Sequence, residues 1–436
     1  MSVEAVAGVA IASLIALILL RIPVAVALAF VGFFGYAALE GFPRAIFVLA
    51  SAPIDMASAF SLAVVPLFVL MGALSTFAGL SEDLFKAAGA VFKGRRGSIA
   101  LSAIGACAAF GAVCGSSLAT AATMTRIAVP SMLAAGYSRA IAAGSVAAGG
   151  TLGILIPPST VLLIYGLIAQ QSVARLFMAA LVPGLVLTFL YMLVVMVIGW
   201  VRPDTMPLVN VDMSTKDRLN AIKRVWHVAI LFIAVIGGIY LGVFGPTEAA
   251  AIGSFGALLL GLLLRRIGMK DVTEAFVSVT RLSASLFLIV MASGVFSYFI
   301  VQTRISDSVI TAVDAMGLTP LGLITIVVLF YLVAGFVLEG FGMILVTVPI
   351  VFPVVMAAGF DPVWFGVLLV VVVEIGLIHP PVGMNLFVIR AQVPEIPVID
   401  IYRGTIPFLV APIMLVVLLI MFPGIALWLP NTMFGR

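Results

Sequence analysis

The sequence predicts an all-α polytopic membrane protein built from two inverted repeats, each holding a re-entrant helical hairpin and a broken transmembrane helix. Three observations carry this. Of the 436 residues, 64% are hydrophobic and only 9% are charged, against about 25% charged in a soluble domain; such a chain cannot cover a water-facing surface. One segment occurs twice: Ile127-Ala-Val-Pro-Ser-Met-Leu-Ala-Ala-Gly-Tyr137 returns as Ile350-Val-Phe-Pro-Val-Val-Met-Ala-Ala-Gly-Phe360. A second pair, Gly153-Ile-Leu-Ile-Pro-Pro158 and Gly376-Leu-Ile-His-Pro-Pro381, keeps the same register. Pro130 and Pro353, Gly136 and Gly359, and Pro157 and Pro380 are each 223 residues apart (353 − 130). Two motifs in one register argue for internal duplication. Paired, interrupted membrane helices in corresponding halves point to the binding site of a secondary transporter.

A helix needs about 20 residues to cross the hydrocarbon. In the first repeat (1–200), crossings are expected over residues 3–20, 24–39, 64–80, 139–169 and 176–200. In the second (225–436) they are expected over 225–244, 249–264, 282–302, 363–389 and 406–429. The first apolar run lacks a basic leader and a credible cleavage site, so it reads as the first membrane helix. Residues 98–133 and 321–358 are also apolar but carry Gly115-Ser-Ser117 and Glu339-Gly-Phe-Gly342 at their middles. Long single helices, pairs that cross twice and re-entrant hairpins all accommodate that pattern. Each arm is about 16 residues, roughly 24 Å at the helical rise, which is short for a crossing and favours hairpins whose tips are covered by protein or a water cavity. The broken helices are residues 138–169 and 362–389, and a polar linker, 201–224, divides the repeats.

Charge sets the orientation. Lys86, Lys93, Arg95 and Arg96 precede the first hairpin, Lys216, Arg218, Lys223 and Arg224 lie in the linker, and Arg265, Arg266, Lys270 and Arg281 follow. The positive-inside rule makes all three segments cytoplasmic. Residues 303–320 set Arg304 against Asp307 and Asp314 and read as external. Five crossings per half, with hairpins returning to their own side, invert the second repeat and place both termini outside.

Several function classes drop out. Cys107 and Cys114 are the only cysteines and make no zinc-type cluster. There is no G-x-x-x-x-G-K-[ST] phosphate loop, no His-Glu metalloprotease pair and no G-x-S-x-G elbow, so neither ATP drive within the chain nor intramembrane hydrolysis is expected. The net charge of +4 is accounted for by the cytoplasmic loops, and no nucleic-acid partner is expected.

Chemistry concentrates at the breaks and tips. Proline donates no backbone hydrogen bond and clashes with the preceding turn, and a second proline forces its neighbour out of the helical region. At Pro157-Pro158 and Pro380-Pro381 the freed carbonyls suit a hard cation and the helix-half N-termini suit an anion; a kink satisfied by neighbouring helices is the plainer alternative. Gly149, Gly150 and Gly153 allow close approach before the first break, with hydroxyls on Thr151 and Ser159. Gly376 and Gly383 do the same around the second, where Asn385 offers an amide. Ser116, Ser117, Thr120, Thr123, Arg126 and Asn385 are the candidate substrate-binding residues. Small residues for tight helix packing equally explain the threonines, including Thr125, and Arg126 could instead snorkel to the interface. Ionisable residues in apolar segments point to function by default: Glu374 suits a proton or structural pairing, and His379, which replaces Ile156 of the first repeat, suits proton coupling less well.

Three motifs resemble one family. Gly150-Thr-Leu-Gly-Ile-Leu-Ile-Pro-Pro-Ser159, Phe244-Gly-Pro-Thr-Glu-Ala-Ala-Ala251 and Glu374-Ile-Gly-Leu-Ile-His-Pro-Pro-Val-Gly-Met-Asn385 look like the large membrane subunit of TRAP (tripartite ATP-independent periplasmic) transporters, and the resemblance runs nearly end to end. His379 stands where the family usually has Thr, and Gly245 where Thr is common. The resemblance implies a Na⁺-coupled, elevator-type secondary transporter with scaffold and transport domains in a bacterial or archaeal inner membrane, its termini periplasmic. It implies import of a carboxylate such as a C4-dicarboxylate or sialic acid, delivered by a periplasmic substrate-binding protein. A small four-helix membrane subunit is expected as a separate chain, packed on a scaffold that includes residues 3–20, 24–39, 225–244 and 249–264. By position, a first Na⁺ site would draw on Gly115, Ser116, Ser117, Gly150, Gly153 and Pro157, and a second on Gly340, Gly342, Ile378, Pro381 and Gly383. The alternatives are a stand-alone inverted-repeat carrier of organic anions coupled to Na⁺ or H⁺, and a non-transporting scaffold.

Overall fold

The computed structural model describes residues 2–208, 214–336 and 338–434. Every regular element among them is helical. Seven helices are long and apolar enough to cross a membrane, or eight if Arg139–Leu155 and Thr160–Ile168, bent by 41°, form one span. Val3–Leu19 and Val24–Glu40, both expected as crossings, are apolar but shorter.

The helices pack in two groups. In one, the 35-residue helix Met269–Thr303 lies against Val24–Glu40 and Phe42–Ala57, while Pro246–Leu263 lies against Val64–Phe77. In the other, Ser98–Cys114 and Ser117–Ala134 fold back on one another and both pack on Arg139–Leu155, with Val173–Val201, Gly340–Ala357 and Pro362–Ile378 around them. Small residues set the closest crossing in this second group. A Cβ on Gly144 would lie 2.1 Å from the Gly404 carbonyl oxygen, and one on Gly404 would lie 1.9 Å from that of Ala140, so this helix pair meets backbone to backbone.

Several stretches read from sequence as loops are helices. Leu80–Phe92 occupies the basic segment before the first hairpin, and Ile305–Ala315 the external one before the second. Phe42–Ala57 lies in a stretch with no expected element. Leu80–Phe92 and Ile305–Ala315 each have one apolar face and one charged face, which a search for unbroken apolar runs passes over. Met269–Thr303 absorbs much of the expected loop 265–281; at roughly 52 Å it overruns a hydrocarbon core of about 30 Å. The linker 201–224 is not simply polar coil: Thr215–Lys223 is helical and runs into the span Thr215–Tyr240. Residues 209–213 of that linker lie outside the described residues. The expected crossing 406–429 is two helices, with the span Val398–Met421 ending before Pro423 and Gly424–Phe434 following.

One charged cluster fixes a corner of this arrangement. Arg266 Nη1 donates to Asp83 Oδ2 (2.5 Å) and to the Ala78 carbonyl (3.2 Å). His227 Nε2 lies 3.4 Å from the same carboxylate oxygen. Asp83 and His227 are buried. Arg266 therefore caps the C-terminal end of Val64–Phe77 and pairs with the first turn of Leu80–Phe92, where a cation and a carboxylate respectively oppose the helix dipoles. Replacing Arg266 with Gln should strand the Asp83 charge and cost about 1–3 kcal/mol, read as a lower thermal midpoint in detergent. Asp83→Asn should cost a similar amount and the double variant less than the sum; strictly additive losses would show that the two residues are not paired.

Candidate functional site

The tip of the first hairpin is seated on the first helix break. Gly115 ends Ser98–Cys114 in the left-handed region (φ +66°), and Ser116 caps the next helix by accepting from the Ala119 N–H at 3.4 Å. The Gly115 carbonyl accepts twice from Thr160, from its hydroxyl at 2.9 Å and from its N–H at 3.3 Å. Thr160 opens the helix that restarts after Pro157-Pro158. Only glycine permits this approach: a Cβ on Gly115 would lie 2.6 Å from the Pro158 carbonyl oxygen. One on Gly153 would lie 2.7 Å from both the Ser116 carbonyl oxygen and Thr120 Oγ1.

The break supplies oxygen. A helical carbonyl accepts from the N–H four residues on, and for Gly153 and Ile154 those positions are Pro157 and Pro158, which have none. The Ser159 hydroxyl donates to the Ile154 carbonyl, and Ser159 also caps the next helix by accepting from the Leu162 N–H. The Gly153 carbonyl keeps no helical donor. The Thr120 hydroxyl, fully buried against Gly153, has only the Cys114 thiol as a hydrogen-bond partner. A buried hydroxyl without an oxygen or nitrogen partner and a carbonyl without its helical donor, both at Gly153, fit a hard cation. Gly115, Ser116, Gly150 and Gly153 are thus brought together with the break at Pro157, since a Cβ on Gly150 would lie 2.8 Å from that of Ala121 on the hairpin.

The expected second cation site is looser. Pro380 and Pro381 remove the donors of the Gly376 and Leu377 carbonyls by the same arithmetic. Gly340 packs on Val373, and Gly335 meets Gly376 backbone to backbone. Gly342 faces Val24 of the other packing group instead. Ile378, Pro381 and Gly383 lie along the break, with Gly383 at φ +51° starting the helix Met384–Gln392. The arms of this hairpin touch less than those of the first; a 2.7 Å hydrogen bond from Thr347 Oγ1 to the Tyr331 hydroxyl ties them. The His379 ring leans on Phe336, 5.0 Å between centroids.

The candidate substrate residues divide. Ser116 and Ser117 line a cavity of about 40 Å³ between the two hairpin tips, with Thr160, Glu339, Gly340 and Met384. Asn385 is fully buried. Its side-chain amide lies 2.9 and 3.1 Å from Ser117 Oγ and donates to the Ala147 carbonyl at 3.2 Å. Asn385 thereby locks the second break to the first hairpin and the first broken helix and does not line the cavity. Thr120 sits with the cation cradle. Thr123 is buried, and Arg126 is exposed on the arm, roughly 13 Å along the helix from Ser117, so neither reaches the tip. Sequence reading left Thr160 out of the site, and took the Glu339 carboxylate at the second tip to face external water or balance a cation. Thr160 could have been found as the first residue after the Pro-Pro-Ser restart.

A few waters fill 40 Å³; a carboxylate substrate needs more. A neighbouring cavity of about 590 Å³ shares Glu339, Gly340, Val373, Leu377 and Met384 and has the size of small-molecule sites, about 300–1,000 Å³. It lies between the second tip and the turn joining Val3–Leu19 to Val24–Glu40. Glu374, fully buried with both carboxylate oxygens unpartnered, stands one turn before the second break.

Comparison with known proteins agrees with this architecture. Residues 11–425 match the family model described as the tripartite ATP-independent periplasmic transporter, DctM component. The chain is 35% identical over 374 residues to the C4-dicarboxylate TRAP transporter large permease protein DctM of Pseudomonas aeruginosa, covering 85% of this chain and 86% of that one. It is 32% identical over 378 residues to the sialic acid TRAP transporter large permease protein SiaM of Vibrio cholerae, covering 86% and 87%. In fold it is similar to the Alcanivorax borkumensis YdaH transporter, with a TM-score of 0.62 at 15% identity over 90% of each chain.

The seating of the tip is testable without transport. Gly153→Ala should push the first tip off the break and lower stability by about 1–3 kcal/mol, measured by thermal unfolding in detergent. A midpoint equal to that of the parent would show that the tip does not bear on Gly153.

Proposed function

Since this chain belongs to the DctM family of large permease components of tripartite ATP-independent periplasmic transporters, we propose that it imports a carboxylate by an elevator motion coupled to Na⁺. The observation that carries the proposal is the seating of the first hairpin on the first break, where the Gly153 carbonyl has lost its helical donor and the buried Thr120 hydroxyl has only the Cys114 thiol beside it. In hydrocarbon each unsatisfied polar group costs several kcal/mol, so such a cradle is stable when a cation fills it. Na⁺ would be held by oxygens of Ser116, Gly153 and Thr120, with Gly115 shaping the tip and the second break taking another. Bound there, it supplies positive charge that favours an adjacent carboxylate and links carriage to the ion gradient.

The chain's own residues do the rest. Thr160 holds the Gly115 carbonyl and fixes the tip. Ser116 and Ser117 present hydroxyls to the gap between the tips, and Asn385 binds the two repeats into one unit. The substrate lies between the tips and extends into the 590 Å³ cavity. Helices Leu80–Phe92 and Ile305–Ala315, which join the two packing groups, would be the arms between a static scaffold and a moving transport body. A soluble binding protein would deliver substrate at the periplasmic face, and a small membrane subunit would pack on the scaffold. The named relatives carry different substrates, a C4-dicarboxylate and sialic acid, and the carboxylate is the chemistry they share.

Proteoliposomes containing the chain and its small subunit, with the binding protein outside, should take up labelled acid only under an inward Na⁺ gradient. Uptake without the binding protein would favour the stand-alone carrier. Ser116→Leu combined with Ser117→Leu should lower uptake at least a hundredfold while membrane insertion stays intact; undiminished uptake would remove the first tip from the mechanism.

A further inference from the structure

We propose that the 590 Å³ cavity is an anion vestibule in which Arg21 receives the carboxylate of a substrate leaving the hairpin tips. This rests on the transporter reading above and adds a residue to it. The two walls of the cavity belong to different packing groups. One is formed by the turn at Arg21 and by Ser285 of Met269–Thr303; the other by Glu339, Gly340 and Gly376 of the second tip and break. Among the described residues, Arg21 and Glu339 are the only charged ones lining it. They stand on opposite walls, and neither forms an ion pair among the described residues.

The position of Arg21 is fixed by its backbone. The residue is in the left-handed region (φ +63°), its N–H donates to the Ile18 carbonyl at 2.9 Å, and the next N–H, of Ile22, donates to Leu17 at 3.0 Å. This short closed turn holds the exposed guanidinium at the rim. The remaining lining is nearly all apolar, and low-dielectric walls focus the fields of these two opposite charges into the space between them, positive at the Arg21 wall and negative at the Glu339 wall. A guanidinium stays charged at any physiological pH and matches a carboxylate with two parallel hydrogen bonds. A carboxylate released from Ser116 and Ser117 enters a space whose fixed positive charge lies on the opposite group of helices. On the positive-inside reading that turn faces the cytoplasm, so the vestibule is on the exit side.

The test uses the full chain in liposomes with Ser285→Cys as a reporter. Cys107 and Cys114 are buried, leaving the introduced thiol as the accessible one. Its reaction rates with a sulfonate-bearing methanethiosulfonate and with the trimethylammonium counterpart are compared at low salt. Arg21→Gln should lower the sulfonate-to-ammonium ratio about tenfold, whereas Arg21→Lys should keep it near the parent value. An unchanged ratio in Arg21→Gln, or a thiol that reacts with neither reagent, would overturn the proposal. In the transport assay, Arg21→Gln should slow net uptake severalfold and Arg21→Lys should restore most of it. If the parent chain fails to transport at all, the tripartite reading falls, while the labelling ratio still reports on the vestibule.

Discussion

Inside hydrocarbon a backbone carbonyl must find a partner, and a proline removes the one its helix would have provided. Two consecutive prolines remove two. At Pro157-Pro158 the carbonyls affected are Gly153 and Ile154, and at Pro380-Pro381 they are Gly376 and Leu377. The neighbourhood of the first break follows from this need. Ser159 takes the Ile154 carbonyl, Thr160 reaches back to Gly115, and glycines at 111, 115, 150 and 153 let a hairpin tip come within contact of the break. The Gly153 carbonyl keeps no helical donor, and the Thr120 hydroxyl lies buried against the same residue.

The two halves solve the same problem with different tightness. The first hairpin is closed on itself and pressed into its break. The second has arms tied through Thr347 and Tyr331, a glycine contact between Gly335 and Gly376, and open space at its tip. Asn385 bridges the halves through Ser117 and the Ala147 carbonyl. The larger cavity therefore lies beside the second tip, bounded by helices of the other packing group. A rigid first half and a looser second half are an arrangement in which one tip anchors and the other has room to move.

Much of this is legible in the residues, for physical reasons. Apolar runs, glycine-rich tips and paired prolines leave strong marks because membrane burial forbids their ordinary alternatives; Gly115 and Gly153 fall where the structure has a tip and a break. Leu80–Phe92 and Ile305–Ala315 are hidden because charges interrupt their apolar runs, and Phe42–Ala57 because its uncharged run, 45–54, is too short for a crossing. Asn385 reads as a substrate ligand from its position after a break, yet its amide is spent within the protein. Arg126 draws notice as a charge in an apolar segment, but the pitch of its helix carries it away from the tip. Thr160 and Arg21 gain their meaning only from what packs opposite them.

The central claim is that the first tip and first break together hold Na⁺. The most direct measurement is the thermal midpoint of the purified chain in detergent, with Na⁺ compared against K⁺ and choline at equal ionic strength. A ligand that binds the folded state alone stabilises it by about 2.7 kcal/mol at a hundred times its dissociation constant. The account predicts a midpoint that rises with Na⁺ over the other cations, and a shift much reduced in Thr120→Val. Equal midpoints in all three salts, or a full Na⁺ shift in Thr120→Val, would contradict it.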